Sequence, residues 1–217
     1  MAYSFPEGSR FYFSPSTSFA AAKTISAVTN ANPAVASSTS HGYSDNDEVV
    51  FTSGWDDATD TVWRVDQQTA DTFQFLGLDS SDTDWFPAAG GTGTTAKIST
   101  WTEILQVLNI STSGGDVRYT NVEPLSRRNS LQVPTGFNGS SMNFTLGYDP
   151  TLGFYSTLRA ASRALTPVAL KIVVSGGGTA YGYGYCSMSE VPALNRNQPN
   201  TLQAAFSLLG RFISYTT

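Results

Sequence analysis

His41 is the only histidine, so a histidine-dependent hydrolase triad could be assembled in just one way, and no Gly-x-Ser-x-Gly nucleophile elbow accompanies it. His41-Gly42 suits a turn instead. Asp45-Asn46-Asp47-Glu48 would offer carboxylates to calcium, but it lacks the spaced ligands, central glycine and distal glutamate of a calcium loop. Gly176-Gly177-Gly178 could cradle a phosphate only with a lysine-serine or lysine-threonine pair behind it, and it sits between two strand-like runs. The acid pairs Asp56 with Asp57 and Asp82 with Asp84 have no second titrating partner, whereas acid/base chemistry needs a constellation. A single cysteine, Cys186, excludes an internal disulfide and a cysteine zinc cluster, and reads as a small buried side chain. The residues therefore predict no catalytic group, no metal and no cofactor.

Composition bounds the remaining classes. The 217 residues allow one sizeable domain, or one domain carrying a small module. Only 13% are charged, against roughly 25% in ordinary soluble domains, and 12% are aromatic. No apolar run approaches the roughly 20 residues that span a bilayer. The start, Met-Ala-Tyr-Ser-Phe-Pro-Glu, lacks the basic and apolar parts of a secretion signal, which predicts a chain kept in the cytosol and chance sequons at Asn109, Asn138 and Asn143. A pI near 4.7 and the lack of any basic cluster beyond Arg127-Arg128 argue against nucleic-acid binding by a basic stripe.

Charge is distributed unevenly along the chain. Residues 1–106 hold 13 acids and 4 bases, while residues 107–217 hold 4 acids and 8 bases. Opposite halves of this kind can steer identical copies into head-to-tail contact, although a solvated set of acidic loops has the same signature.

The pattern of elements is mainly β. Residues 1–22, with Phe11, Tyr12 and Phe13 among prolines and glycines, suit an extended arm able to bind a neighbour. Short β-runs at 24–29, 34–38, 48–52, 61–65 and 72–76 predict a small barrel or meander over 23–80, and 11 of the 17 acids fall between Asp45 and Asp84. Residues 80–95 read as a loop. Thr100 to Glu103 matches a capping box and predicts a helical turn before a strand at 107–111. Residues 112–138, with Arg118, Arg127 and Arg128, read as a projecting irregular loop. Asp149 as N-cap and Pro150 as first helical residue, with Leu152, Tyr155, Leu158 and Ala161 on one face, predict a helix over 150–163. Strands follow at 168–174, 179–188 and 202–208, the first two joined by the glycine run, and Arg211–Thr217 is a tail. Tyr181, Tyr183 and Tyr185 share one face, with Gly182 and Gly184 opposite, where another element can approach closely.

Several of these segments carry a resemblance. Residues Ile25 to Val35, His41 to Asp45, Glu48 to Trp55, Val62 to Val65 and Thr72 to Asp79 look like a module common in phage tail proteins. Residues 101–104, 110–115, 149–158, 167–173 and 192–208 are similar to the remainder of a major tail tube family of long-tailed bacteriophages, and the resemblance covers about nine tenths of the chain. The last residues, Phe212 to Thr217, depart from that family's pattern.

The resemblance implies a β-sandwich flanked by one helix near 150–163 within residues 81–217, and a structural virion protein with no enzymatic activity. It implies hexameric rings stacked into a tail tube assembled in the host cytoplasm, with DNA passing through the lumen without sequence-specific binding. The implied partners are copies of the chain and the tape measure, terminator and tip proteins of the tail, with no membrane. Phe11, Tyr12, Phe13, Arg118, Arg127 and Arg128 are the candidate subunit-interface residues, and the acidic module is expected to pad or decorate the tube. Two rivals stand beside this: a host-binding or fibre-associated virion protein whose aromatic module recognises surface glycan, and a hydrolase of the host envelope.

Overall fold

Runs of β-branched and aromatic residues broken by Asn, Asp, Gly and Pro give a chain built almost entirely of short strands. The computed structural model describes residues 7–194 and 196–216. Tyr3, Phe5 and Pro6 of the expected arm lie outside them. In chain order the elements are β1 (Arg10–Pro15), β2 (Lys23–Ile25), β3 (Ala27–Val28), β4 (Val35–Ser37), β5 (Glu48–Ser53), β6 (Thr61–Gln67), β7 (Thr72–Phe75), β8 (Gly93–Lys97) and β9 (Thr102–Glu103). Then come β10 (Val107–Ser113), β11 (Val117–Val122), β12 (Leu131–Phe137), β13 (Ser141–Gly147), α1 (Gly153–Ala164), β14 (Pro167–Val174), β15 (Gly178–Met188), β16 (Thr201–Leu208) and β17 (Ile213–Tyr215).

The smaller sheet runs β2-β8-β5-β6-β7-β4-β3. Its two outermost strands, β2 and β3, are separated in the chain only by Ser26, so the sheet has to curl until its ends meet, which makes a small barrel. Ile25, Phe51, Trp55, Trp63, Phe73 and Phe75 fill it. Because β8 pairs with both β2 and β5, this unit extends to Lys97, past the boundary expected at residue 80.

The larger sheet runs β10-β13-β16-β15-β14-β1-β9, with β17 added to one end of β15. It too bends round its core. Ile104 N–H bonds to Phe11 O and Gly147 N–H to Gln106 O, so the chain crosses from one margin of the sheet to the other within residues 104–106. Phe13, Phe144, Leu146, Leu170, Leu202 and Phe206 pack there against Phe154, Tyr155, Leu158 and Ala161 of α1. The molecule is thus a mainly β, sandwich-type fold with one helix, as expected.

Barrel and sandwich share a third core. Val49 and Phe51 point into the barrel while Val50 and Val62 face Ala169, Tyr181 and Tyr183 of the large sheet, which is why β5 and β6 carry consecutive buried residues instead of a strict alternation. Beside this core, the Glu48 carboxylate accepts from Lys171 Nζ at 2.7 Å, from the Tyr181 hydroxyl and from the Trp101 indole N–H. Burial, then contact with Glu48, raises the Tyr181 phenol far above its ordinary range.

The C-terminal segment closes the same seam. Arg211 Nη2 bonds Asp57 at 2.7 Å, and Tyr215 OH donates to Leu76 O at 2.9 Å while accepting from Arg64 N–H at 3.0 Å. Gly210 is required there, since a Cβ would lie 2.2 Å from Asp60 O. The glycine face of β15 receives part of this segment, with Phe212 and Leu208 against Gly182. Burial pushes the Tyr215 phenol up to about 12.

Three local expectations change. The capping-box motif forms no helical turn: Thr102–Glu103 pairs with β1 as β9, and Trp101 is drawn to Glu48, so tertiary contacts override the local signal. Residues 112–138 are not irregular; they form the end of β10 and the β11–β12 hairpin. The helix starts at Gly153 rather than at residue 150, because the Asp149 carboxylate bonds Thr151 N–H at 3.0 Å and Thr151 Oγ1 at 2.6 Å, closing a local turn instead of capping.

Candidate assembly surface

The sequence Val117-Arg-Tyr-Thr-Asn-Val, then a turn, then Leu131-Gln-Val-Pro-Thr-Gly-Phe137 makes a two-stranded antiparallel hairpin that joins neither large sheet. Partners across the strands put Val117 beside Phe137 on one face and Thr120 beside Val133 and Val122 beside Leu131 on the other. Each of these apolar residues is exposed, with Tyr119 at 55%, Leu125 at 108% and Phe137 at 73%. A lone two-stranded hairpin is at best marginally stable in water, and this one has apolar side chains on both faces and no core of its own.

The hairpin springs from β10 and β13. β10 is the outer strand of the larger sheet and leaves one side of its backbone ladder open. Leu105 and Leu108 are exposed beside it. At the hairpin's root lies a cleft of about 1130 Å³, lined by both Phe137 and Trp85, the latter 67% exposed. Leu209 and Phe212 lie along it, and the Asp57–Arg211 pair is at its edge. The loop that carries Trp85 is firmly held: Asn30 Nδ2 bonds Phe86 O at 2.7 Å, Trp55 Nε1 bonds Pro87 O at 2.8 Å, and Ser80 Oγ bonds Thr29 O at 2.7 Å.

Ion pairing sharpens the charge asymmetry. Arg159 and Arg163 of α1 are both tied to Glu190 at 2.8 Å, which draws its carboxylate down to about 2; Lys171 is tied to Glu48 and Arg211 to Asp57. Among the described residues, the cations of the second half outside these pairs are Arg118, Arg127, Arg128 and Arg196, three of them on the hairpin. On the barrel, Asp47, Glu48 and Asp57 are paired, which leaves the other eight acids between Asp45 and Asp84 outside any ion pair among the described residues.

The six candidate interface residues thus fall into two groups. Arg118, Arg127 and Arg128 are exposed on the hairpin. Phe11, Tyr12 and Phe13 are on β1, an interior strand paired with β14 and β9 instead of an extended arm. Phe13 is 0% exposed, and Phe11 is edge-on to Phe144 with ring centroids 5.7 Å apart, so both serve the chain's own core. Tyr12 is half-buried. Sequence reading passed over Val117, Tyr119, Val133 and Phe137, although the period-two runs on either side of Pro124 and the basic turn were a hairpin signal.

The residues with chemical potential are spent on structure. His41 is 2% exposed, with Nδ1 accepting from Tyr43 N–H and Nε2 beside Thr69 O, both at 3.0 Å. Cys186 is buried, which pushes its thiol up to about 11. Among the described residues no group of three or more acids, cysteines or histidines is placed to hold a metal, and no helix is long and apolar enough to cross a membrane.

No curated protein matches the chain significantly. The family model for the phage tail tube protein, TTP, matches residues 53–217, from the last residue of β5 through the hairpin, helix and C-terminal segment. That span is most of the chain and lies outside the first barrel strands. The chain belongs to the phage tail tube protein family, whose role is structural and whose place is the tail of the virion.

Proposed function

We propose that this chain is the repeating subunit of the tail tube, that six copies close into a ring, and that rings stack into a hollow tube through which DNA passes. The observation that carries the reading is the β11–β12 hairpin, with exposed apolar side chains on both faces among the described residues. Family membership supplies the context. The open edge of β10 offers a second copy a ready backbone ladder. Where such a contact joins two different surfaces of the subunit, it repeats into closed rings or open stacks. A subunit with few free cations also suits a conduit, since basic walls would hold phosphate.

In this reading Arg118, Arg127 and Arg128 belong to the inter-subunit contact, and partners are other copies of the chain and further tail proteins. Negative-stain microscopy of the purified protein tests it. Rings or hollow tubes of uniform width are expected as concentration rises. A protein that stays monomeric under all solution conditions, and is absent along the shaft of labelled virions, contradicts the reading.

A further inference from the structure

We propose that the tip of the β11–β12 hairpin of one copy docks on the Trp85 loop of the next, with Leu125 entering the cleft beside Trp85 and Arg127 and Arg128 facing Asp82 and Asp84. This rests on the self-assembly reading above and names the two surfaces that meet.

Three observations point to this occupant. The tip carries a fully exposed leucine next to two adjacent arginines, none of them used in an ion pair among the described residues. The cleft and its loop present the complement: an exposed tryptophan lines the cleft, and Asp82 and Asp84, just before it in the same loop, are exposed and outside any ion pair among the described residues. Arginine suits such a spot, since its guanidinium can pair with a carboxylate and lie on an indole face together. Finally, the Trp85 loop is pinned by hydrogen bonds to Thr29, Asn30 and Trp55, so it costs little ordering to bind, and preorganised loops are what docking sites use.

Geometry makes the contact intermolecular. The hairpin's root lines the cleft of its own chain through Gly115 and Phe137, and its strands carry the tip roughly 20 Å away at the usual rise per residue. The tip therefore cannot fold back into its own cleft, and it reaches the cleft of a copy displaced by about that distance. Each subunit has one tip and one cleft, so the contact is head-to-tail and propagates.

Charge reversal on the full chain tests the proposal. R127E/R128E should lower tube formation, read by light scattering and microscopy, by at least about tenfold. D82N/D84R should do the same; the amide introduced by D82N keeps an acceptor oxygen for the turn in which Asp82 Oδ1 accepts from the N–H of residue 84. The four substitutions together should restore assembly to within about threefold of the parent. Unchanged thermal melting of each monomer confirms that folding is intact. A combined variant no better than the two separate reversals, or reversals that leave assembly untouched, overturns the pairing while leaving the tube reading in place. A second measurement stands apart from folding effects: tubes of Leu125→Cys with Trp85→Cys should give a covalent ladder on oxidation, and tubes without a ladder overturn the contact. Parent protein that forms no tubes overturns both.

Discussion

The barrel–sandwich seam and the β11–β12 hairpin are built from similar residues and treated in opposite ways. At the seam, Trp101, Tyr181 and Tyr215 have their polar atoms bonded, and Glu48 and Lys171 neutralise one another. On the hairpin, Tyr119, Val133 and Phe137 are left in water and three arginines have no carboxylate among the described residues. Folding one chain completes the first region only. The difference separates side chains that hold the subunit together from those that the proposed assembly would bury, and the bonded seam anchors the barrel to the sandwich.

The seam should give the largest effect on stability. Glu48→Ala leaves Lys171, the Tyr181 hydroxyl and the Trp101 N–H without their acceptor, so unfolding should become easier by about 3–5 kcal/mol. Thermal melting of the monomer reads this as a fall of about 10 °C for a chain of this length. A change of a degree or two would dissolve the contrast from the seam side.

Tyr215→Phe is milder. It removes the donor to Leu76 O and the acceptor for Arg64 N–H, at a cost of about 1–2 kcal/mol, and denaturant titration should show it without altered assembly. The same phenol gives a pH signature. Its value is raised from 10.0 to about 12, so its share of stability is complete below pH 10 and is lost as pH rises through about 12. The Phe variant should lose that share of the alkaline dependence.

Tyr119→Ser with Val133→Ser should invert the pattern. Both positions are exposed, so monomer stability should stay within about 0.5 kcal/mol, while the concentration needed for tube formation rises about tenfold as apolar contact area is lost. Equal losses in both readouts would mean that the hairpin supports its own subunit.

The smallest effect concerns Glu190, exposed beside the last turns of α1. Its carboxyl should titrate near pH 2 by NMR, and in R159Q/R163Q it should return toward the ordinary 4.5. Because the folded value is depressed, the tie to α1 is complete above about 4.5 and lost as pH falls through about 2.

The sequence made the architecture readable where local chemistry and tertiary packing agree. The β-runs of the barrel, the strands around the glycine turn and the helix face of Tyr155, Leu158 and Ala161 stand where their spacing put them. It misled where a distant partner intervened. Thr100 to Glu103 looks like a cap until Trp101 meets Glu48, and Phe11 to Phe13 look like a free arm until β14 and β9 flank them. The β8 strand was hidden because Gly93-Thr-Thr-Ala-Lys has little apolar character and is held by ladder bonds to β5 and β2. Of the candidate contact surface, Arg127 and Arg128 were legible as a basic pair in a projecting segment, whereas the setting of Trp85 depends on Ser80 and Phe86 being held by Asn30, 50 or so positions away.

Amide hydrogen exchange of β11 and β12 in monomer and in assembled tubes tests the central claim most directly. Residues 117–122 and 131–137 should exchange rapidly in the monomer and become strongly protected in tubes, while β5 and β6 are slow in both. A hairpin whose amides exchange as freely in the tube as in solution would contradict it.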